Sequence, residues 1–240
     1  MFIKFNLFLA LIFFYQFSFA QLDVLKNISN KAHTFIGSEK LKADKDIASG
    51  LTEALKISVI KSCKNASQVN GFYKNDNIKI PFPSKINNVK KTCLNIGLDN
   101  LVLDFEKKMN KTAELVSSDA SEIIIEVILG LRFTDVIQIL NGSDNEATMY
   151  LKDKSFDNLY ASFYPTVKKK MDNTGVQKKL DLILKRYNKI PLIKKVKFDL
   201  TDYITLKTID GIFYLIAENE KDIRNNPSAR TTELLKKIFK

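Results

Sequence analysis

Histidine occurs once, cysteine twice and glycine eight times in 240 residues, and only four of the 38 basic side chains are arginine. Each scarcity removes a class of chemistry. Two cysteines and one remote histidine do not supply four zinc ligands at usable spacing. The lone histidine, His33, lies in the polar stretch Asn27 to Asp46. No third group would hold it there as the base of a Ser/His/Asp or Cys/His hydrolase. A phosphate-cradling glycine loop, a dinucleotide fingerprint and a metalloprotease helix are all missing. No metal, cofactor or catalytic residue is therefore assigned. The shortage of arginine weighs against nucleic acid, whose bases and phosphates favour a bidentate fork.

What is present begins with a leader. Lys4 supplies a positive charge, Asn6 to Phe17 is dominated by Leu, Ile, Phe and Tyr, and Ser18-Phe19-Ala20 ends the run with small residues where a signal peptidase reads. Cleavage after Ala20 is expected. The apolar run holds about a dozen residues, short of the roughly 20 that span a bilayer. No cysteine follows that could accept a lipid anchor. Export, to a periplasm or to the medium, is the reading, with residues 21–46 a flexible arm and 47–240 one helical domain.

The mature chain loses Lys4, leaving 37 basic against 27 acidic residues, a balance of +10. Charge is concentrated rather than spread. Between Lys168 and Lys197 stand eleven cations opposed by Asp172 and Asp181, so this stretch carries +9. Lys168, Lys169, Lys170, Lys178, Lys179, Lys185 and Arg186 form a candidate anion-binding face, suited to lipid headgroups or polyanionic glycans. A solvated lysine surface is the plainer interpretation. Phe156, Tyr160, Phe163 and Tyr164 precede it at helical spacing, which suits core packing better than base stacking.

Cys63 falls on the apolar stripe Leu51, Ala54, Leu55, Val59, Cys63 and Ala66, and Cys93 on Ile86, Val89, Cys93 and Ile96. Both should point inward. In an oxidising compartment they could form a disulfide closing a loop of about 31 residues, worth roughly 3.5 kcal/mol. Two separate buried thiols are the alternative. Four Asn-x-Ser/Thr triplets begin at Asn27, Asn65, Asn110 and Asn141. They are glycan acceptors only in a eukaryotic secretory pathway.

Helices are predicted from Ile47 to Ala66, from a Ser84 cap to Ile96, and along Leu98 to Val116. Asp119 with Glu122 reads as a capping pair opening a separate, all-round apolar helix from Ile123 to Leu131 that belongs in the centre. Ile78, Ile80 and Phe82 alternate with Lys79, Pro81 and Pro83, which forces an extended stretch. Thr134 opens a short helix ended by Asn141-Gly142, and Ser143 with Glu146 caps a helix that Pro165 should bend. Another stripe runs from Val176 to Tyr187, stopped by Pro191. Asp199 caps a long helix to Arg224, and Asn226-Pro227 opens the last one. The fold class is all-α, an irregular single-domain bundle with one short proline-containing extended segment.

Asp210 lies among Ile, Gly and aromatic residues and is expected to be half-buried, with Lys207 one turn before it or an arginine from another helix as its partner. Asp202, Tyr203, Lys207, Asp210, Arg224 and Arg230 are the candidate lining of a polar pocket for a small anionic or amphipathic ligand. Structural ion pairs fixing helix register are the competing interpretation.

The run Leu200-Thr-Asp-Tyr-Ile-Thr-Leu-Lys-Thr-Ile-Asp-Gly-Ile-Phe-Tyr to Ala217-Glu218, continuing through Ile223-Arg224-Asn-Asn-Pro227-Ser-Ala-Arg230 to Phe239, resembles a bacterial exported family labelled domain of unknown function 4197. Ile80-Pro-Phe-Pro83, Gly97-Leu98, Thr134-Asp135, Ile139-Leu140-Asn141-Gly142 and Ala147-Thr148 with Tyr150 fit the same pattern. The likeness extends from about Ala48 to Phe239. It implies a periplasmic setting and carries no activity, ligand or functional residue; the cysteines and the lysine band fall outside its pattern. The expected function is non-enzymatic binding of a partner protein, an envelope component or an amphipathic ligand. An envelope hydrolase or transferase using acidic residues, and docking to anionic lipid through Lys168 to Lys197, are the alternatives.

Overall fold

The computed structural model describes residues 39–132, 136–190 and 195–239. The predicted leader, His33, Thr134 and Pro191 lie outside the described residues. By contact the chain divides into Met1–Ile47 and Ala48–Lys240, and the architecture is that of the second unit. Its helices are α1 (helical over 48–66), α2 (Asn87–Asn95), α3 (Asp99–Gly130), α4 (Val136–Leu140), α5 (Glu146–Thr174), α6 (Val176–Tyr187), α7 (Leu200–Asn225) and α8 (Glu233–Ile238). No strand occurs among the described residues, and the class is all-α.

Three long helices form the frame. α5 and α7 lie antiparallel, α3 packs on both, and α2 and α6 close over α3. Each buries one stripe. α5 buries Leu151, Ser155, Leu159, Phe163, Val167 and Met171 at steps of four, and α7 buries Ile204, Thr208, Ile212, Ile216, Glu220 and Ile223 at steps of four and three. Such steps drift slowly round a helix of 3.6 residues per turn, so one continuous ridge reaches the neighbouring helix. α1 keeps Leu51, Leu55, Val59 and Cys63 in the core. Its far side is tied to α7, where the Asn219 amide donates to the Ser62 hydroxyl at 2.8 Å.

Several boundaries differ from those expected, each for a physical reason. Residues 39–46, assigned to a loose arm, are already helical. Glu39, Lys40, Leu41, Lys42 and Ala43 all have high helix propensity, and an exposed helix needs no apolar stripe. Asp119 and Glu122 open no new helix, because α3 runs unbroken to Gly130. No glycine or proline interrupts it, and Val116, Ala120, Ile124 and Ile128 continue one buried ridge. Asp119 faces sideways to Lys170 at 2.7 Å. Nor is Ile123 to Leu131 central, since Leu129 is 63 % exposed.

Pro165 lies inside α5 without ending it; the stripe of Phe163, Val167 and Met171 carries the helix across. Gly175, at φ 66°, ends α5 in the left-handed region that suits glycine. Ser84 starts a single 3-10 turn, Ser84–Ile86, ahead of α2. The last helix opens at Thr232, whose hydroxyl accepts from the Leu235 amide at 3.3 Å, and not at Asn226-Pro227, which forms its own 3-10 turn. Asp199 caps α7 as expected, accepting from the Asp202 amide at 2.9 Å.

The extended segment is the least regular part of the core. Ile78, Ile80 and Phe82 are buried, as their alternation predicts, but Ile78 closes a turn, its amide donating to the Asn75 carbonyl at 3.1 Å, and the irregular backbone after it has no strand or helix of its own to satisfy it. Asn110 of α3 takes that role. Its Oδ1 accepts from the Ile80 amide and its Nδ2 donates to the Ile80 carbonyl, both at 2.8 Å. The Tyr203 hydroxyl donates to the Pro81 carbonyl at 3.0 Å. Asn110 is fully buried, so its Asn-x-Thr triplet is closed to a glycan. A Cβ on Gly211 of α7 would stand 2.7 Å from the Phe72 ring and 3.2 Å from Ile78 Cβ, so α7 approaches this segment at a distance only glycine permits. Replacing Asn110 by Ala leaves two buried backbone groups of Ile80 unpaired. The expected loss is roughly 2–4 kcal/mol, read from the urea midpoint with far-ultraviolet circular dichroism retained.

Candidate ligand-binding cavity

The N-terminal half of α7, the mid-part of α5 and the approach to α7 enclose a cavity of about 500 Å³. Phe156, Phe198, Tyr203 and Leu206 form apolar walls, and Lys85, Lys197, Lys207, Asp199, Asp202 and Asp210 bring charge to it. Local sequence explains the placement. Phe156 follows Ser155 of the buried stripe of α5 by one position and so leans off the core. Asp199, Asp202 and Asp210 fall on the side of α7 away from Ile204, Ile212 and Ile216.

The three carboxylates are all engaged. Asp199 caps α7, Asp202 accepts from the Tyr160 hydroxyl at 2.8 Å, and Asp210 meets the Lys152 ammonium at 2.9 Å. Asp210 is 50 % exposed, and its partner is Lys152 of α5 rather than Lys207. Lys85, Lys197 and Lys207 have no ion-pair partner among the described residues. Counting Lys152, four ammonium groups face three carboxylates, a net formal charge of +1 at the cavity.

Two phenols are perturbed. The hydrogen bond to Asp202, then burial and the nearby carboxylate charges, push Tyr160 up to about 12. Burial and the charge of Glu106 push Tyr203 up to about 12. Ring stacking continues the wall, with Phe198 edge-on to Tyr203 at 5.6 Å and Phe156 6.4 Å from Tyr160.

Asp202, Tyr203, Lys207 and Asp210 are therefore brought together, while Arg224 and Arg230 are elsewhere. At the other end of α7 the buried Glu220 carboxylate accepts from the Ala147 amide at 3.0 Å, from the Thr148 amide at 2.7 Å and from the Thr148 hydroxyl. It caps α5 from a different helix, where Asn145 offers no side-chain cap. Arg224, one turn on, donates Nε to Glu220 at 2.8 Å, Nη1 to the Leu140 carbonyl at 2.8 Å and Nη2 to the Ile139 carbonyl at 3.0 Å. Arg230 donates to the carbonyls of Ile223 and Arg224 at 3.0 and 2.8 Å. Four of these five bonds end on backbone carbonyls and the fifth on Glu220, and neither guanidinium lines the cavity. Glu146 folds back on Ser143, accepting from its hydroxyl at 2.7 Å and its amide at 3.2 Å, so only half of the expected capping box forms.

Sequence reasoning missed Lys85, Phe156, Lys197, Phe198, Asp199 and Leu206 as lining residues. They come from separate segments, and no spacing in the chain joins them; the Asp199 cap was the one available signal. In the lysine band, Lys170 and Lys179 are tied to α3, pairing with Asp119 at 2.7 Å and Asp104 at 2.6 Å. Lys168, Lys169, Lys178, Lys185 and Arg186 are exposed. Cys63 and Cys93 are both buried, as their stripes predict, and both are free thiols rather than halves of a bridge. Burial pushes the Cys63 thiol up to about 12 and raises Cys93, which leaves little thiolate for reaction.

Removing Arg224 (Arg224→Ala) strands a buried carboxylate and is expected to cost roughly 3–5 kcal/mol. Lys152→Ala, at an exposed pair, should cost less than about 1 kcal/mol; thermal melts compare the two. Raised phenol values mean that the fold favours neutral Tyr160 and Tyr203. Their stabilising contribution is complete below the ordinary value of 10 and is lost as pH rises through about 12. Among eight tyrosines and no tryptophan, an ultraviolet titration should show a late-ionising group that Tyr160→Phe reduces.

No curated protein and no solved structure matches the chain. A family model, described as Protein of unknown function (DUF4197), matches residues 42–240. That span holds the cavity, the Glu220–Arg224 network and every helix from α2 to α8, and the chain belongs to this family of unknown function.

Proposed function

We propose that this is an exported, non-enzymatic binding protein whose cavity beside the start of α7 receives an amphipathic anion. One observation carries the reading. Apolar walls of Phe156, Phe198, Tyr203 and Leu206 meet three lysines without ion partners, while each carboxylate present is already held by a cap, a phenol or an ammonium. A cavity of about 500 Å³ is within the range that small-molecule sites occupy, roughly 300–1,000 Å³. An apolar tail would lie along the rings and an acidic head would meet Lys197 and Lys207. Engaged carboxylates are poorly placed for acid–base work, which favours binding over turnover. Export rests on the leader read in residues 1–20, and no helix among the described residues is long and apolar enough to cross a membrane.

Native mass spectrometry of protein recovered from its own envelope tests both halves. The expected species has a polypeptide mass beginning at Gln21 and carries an acidic adduct released on denaturation. Lys197→Glu with Lys207→Glu should abolish the adduct without lowering the melting temperature. A polypeptide retaining residues 1–20 removes the export half. An adduct that survives both substitutions, or its absence together with no thermal stabilisation by any of a panel of alkyl carboxylates and phosphates, removes the binding half. A ligand at about 100 times its Kd would stabilise by roughly 2.7 kcal/mol.

A further inference from the structure

The lysine band divides into two populations that do different things. Lys170 and Lys179 reach α3 and pair with Asp119 and Asp104. Lys178, Lys185 and Lys189 face away from that packing. α6 buries Val176, Leu180, Ile183 and Tyr187, and at 100° per residue the opposite side carries Lys178, Leu182 and Lys185. Lys189 extends that line into the turn after the helix, where its amide still donates to the Arg186 carbonyl at 3.4 Å. Lys178, Lys185 and Lys189 are exposed and have no ion partner among the described residues. Leu182, in the middle of the line, is 39 % exposed. The nearest acid on the helix, Asp181, flanks the line on the side opposite Leu182, about 40° round from Lys185, and accepts from Gln177 at 2.9 Å.

We propose that this outward ridge of α6 seats the protein on an anionic lipid bilayer, with Leu182 entering the headgroup layer and Lys178, Lys185 and Lys189 meeting lipid phosphates. Eleven residues of helical rise give a line of about 16 Å, which spans several headgroups. The cations are lysines, point charges suited to a diffuse field rather than to a defined bidentate acceptor. An apolar side chain at the centre of a cationic line serves a bilayer, whose interior can accept it, and not a soluble polyanion. The ridge is separate from the cavity, so this docking stands or falls independently of the ligand reading.

The absence of tryptophan makes a direct test possible. Leu182→Trp places a single indole on the ridge. With vesicles of phosphatidylcholine containing about one third phosphatidylglycerol at low salt, its emission should shift to the blue, and the protein should sediment with the vesicles. Pure phosphatidylcholine and soluble heparin should give no blue shift. Reversing Lys178, Lys185 and Lys189 to Glu should lower the vesicle-bound fraction at least about tenfold, because surface lysines act together on an anionic bilayer. The same reversal at Lys64, Lys74 and Lys91, which are also exposed, keeps overall charge matched and should have a much smaller effect. Unchanged circular dichroism for both triple variants keeps the comparison valid, and if the ridge triple unfolds, the emission of Leu182→Trp alone decides. Equal losses in the two triples, no blue shift with anionic vesicles, or capture by heparin without capture by vesicles would overturn the proposal.

Discussion

Glu220 and Arg224, one turn apart on α7, hold a junction where two helix ends face the same pair of side chains. The carboxylate closes the N-terminus of α5 through the amides of Ala147 and Thr148, and the guanidinium closes the C-terminus of α4 through the carbonyls of Ile139 and Leu140. A helix N-terminus carries partial positive charge and a C-terminus partial negative charge. The pair is therefore arranged so that each charge meets its complement and the two neutralise each other inside the core. Burial of both groups makes the arrangement all-or-none, since either charge alone would be costly there.

From that junction the register of α7 on α5 follows along their whole length. Glu220 meets Thr148, Asp210 meets Lys152 and Asp202 meets Tyr160, pairs that rise along α5 as they fall along α7 and so mark the antiparallel packing. The cavity forms at the Asp202 end of this series. Phe156 and the ring of Tyr203 come to face each other's elements because the far end is locked, and Lys197 and Lys207 flank them. α3 repeats the pattern on its own side, pairing Asp119 with Lys170, Thr112 with Thr174 and Asp104 with Lys179. Lysines that look alike in the chain are thus separated into those that bind the bundle together and those left facing outward.

Apolar periodicity made the long helices legible, because a stripe at steps of three and four has one stable outcome in water. Ile80 and Phe82 were legible as buried and extended for the same reason, with proline excluding the helix. Capping signals were less dependable. Asp199 and Gly175 act where expected of their residue types, but Asp119 and Glu122 are simply polar residues on the outer face of α3, and Ser143 donates to Glu146 instead of capping α5. A cap motif states what a residue can do at a helix end and not whether an end occurs there. Asp210 similarly has Lys207 one turn before it, yet pairs with Lys152 of α5.

The order of residues by itself determined which faces are apolar, hence the all-α class, the inward direction of Cys63 and Cys93, and the concentration of charge after Lys168. Those properties depend on contacts within a few turns of one helix, which the chain specifies locally. Tertiary structure alone decided that Asn110 would pair with Ile80, that Arg224 and Arg230 would bind backbone rather than a ligand, and that Lys85, Phe156 and Lys207 would share a cavity. Each of these joins positions far apart in the chain, and their meeting is set by how whole helices pack, a free-energy balance over the entire core that no local spacing records.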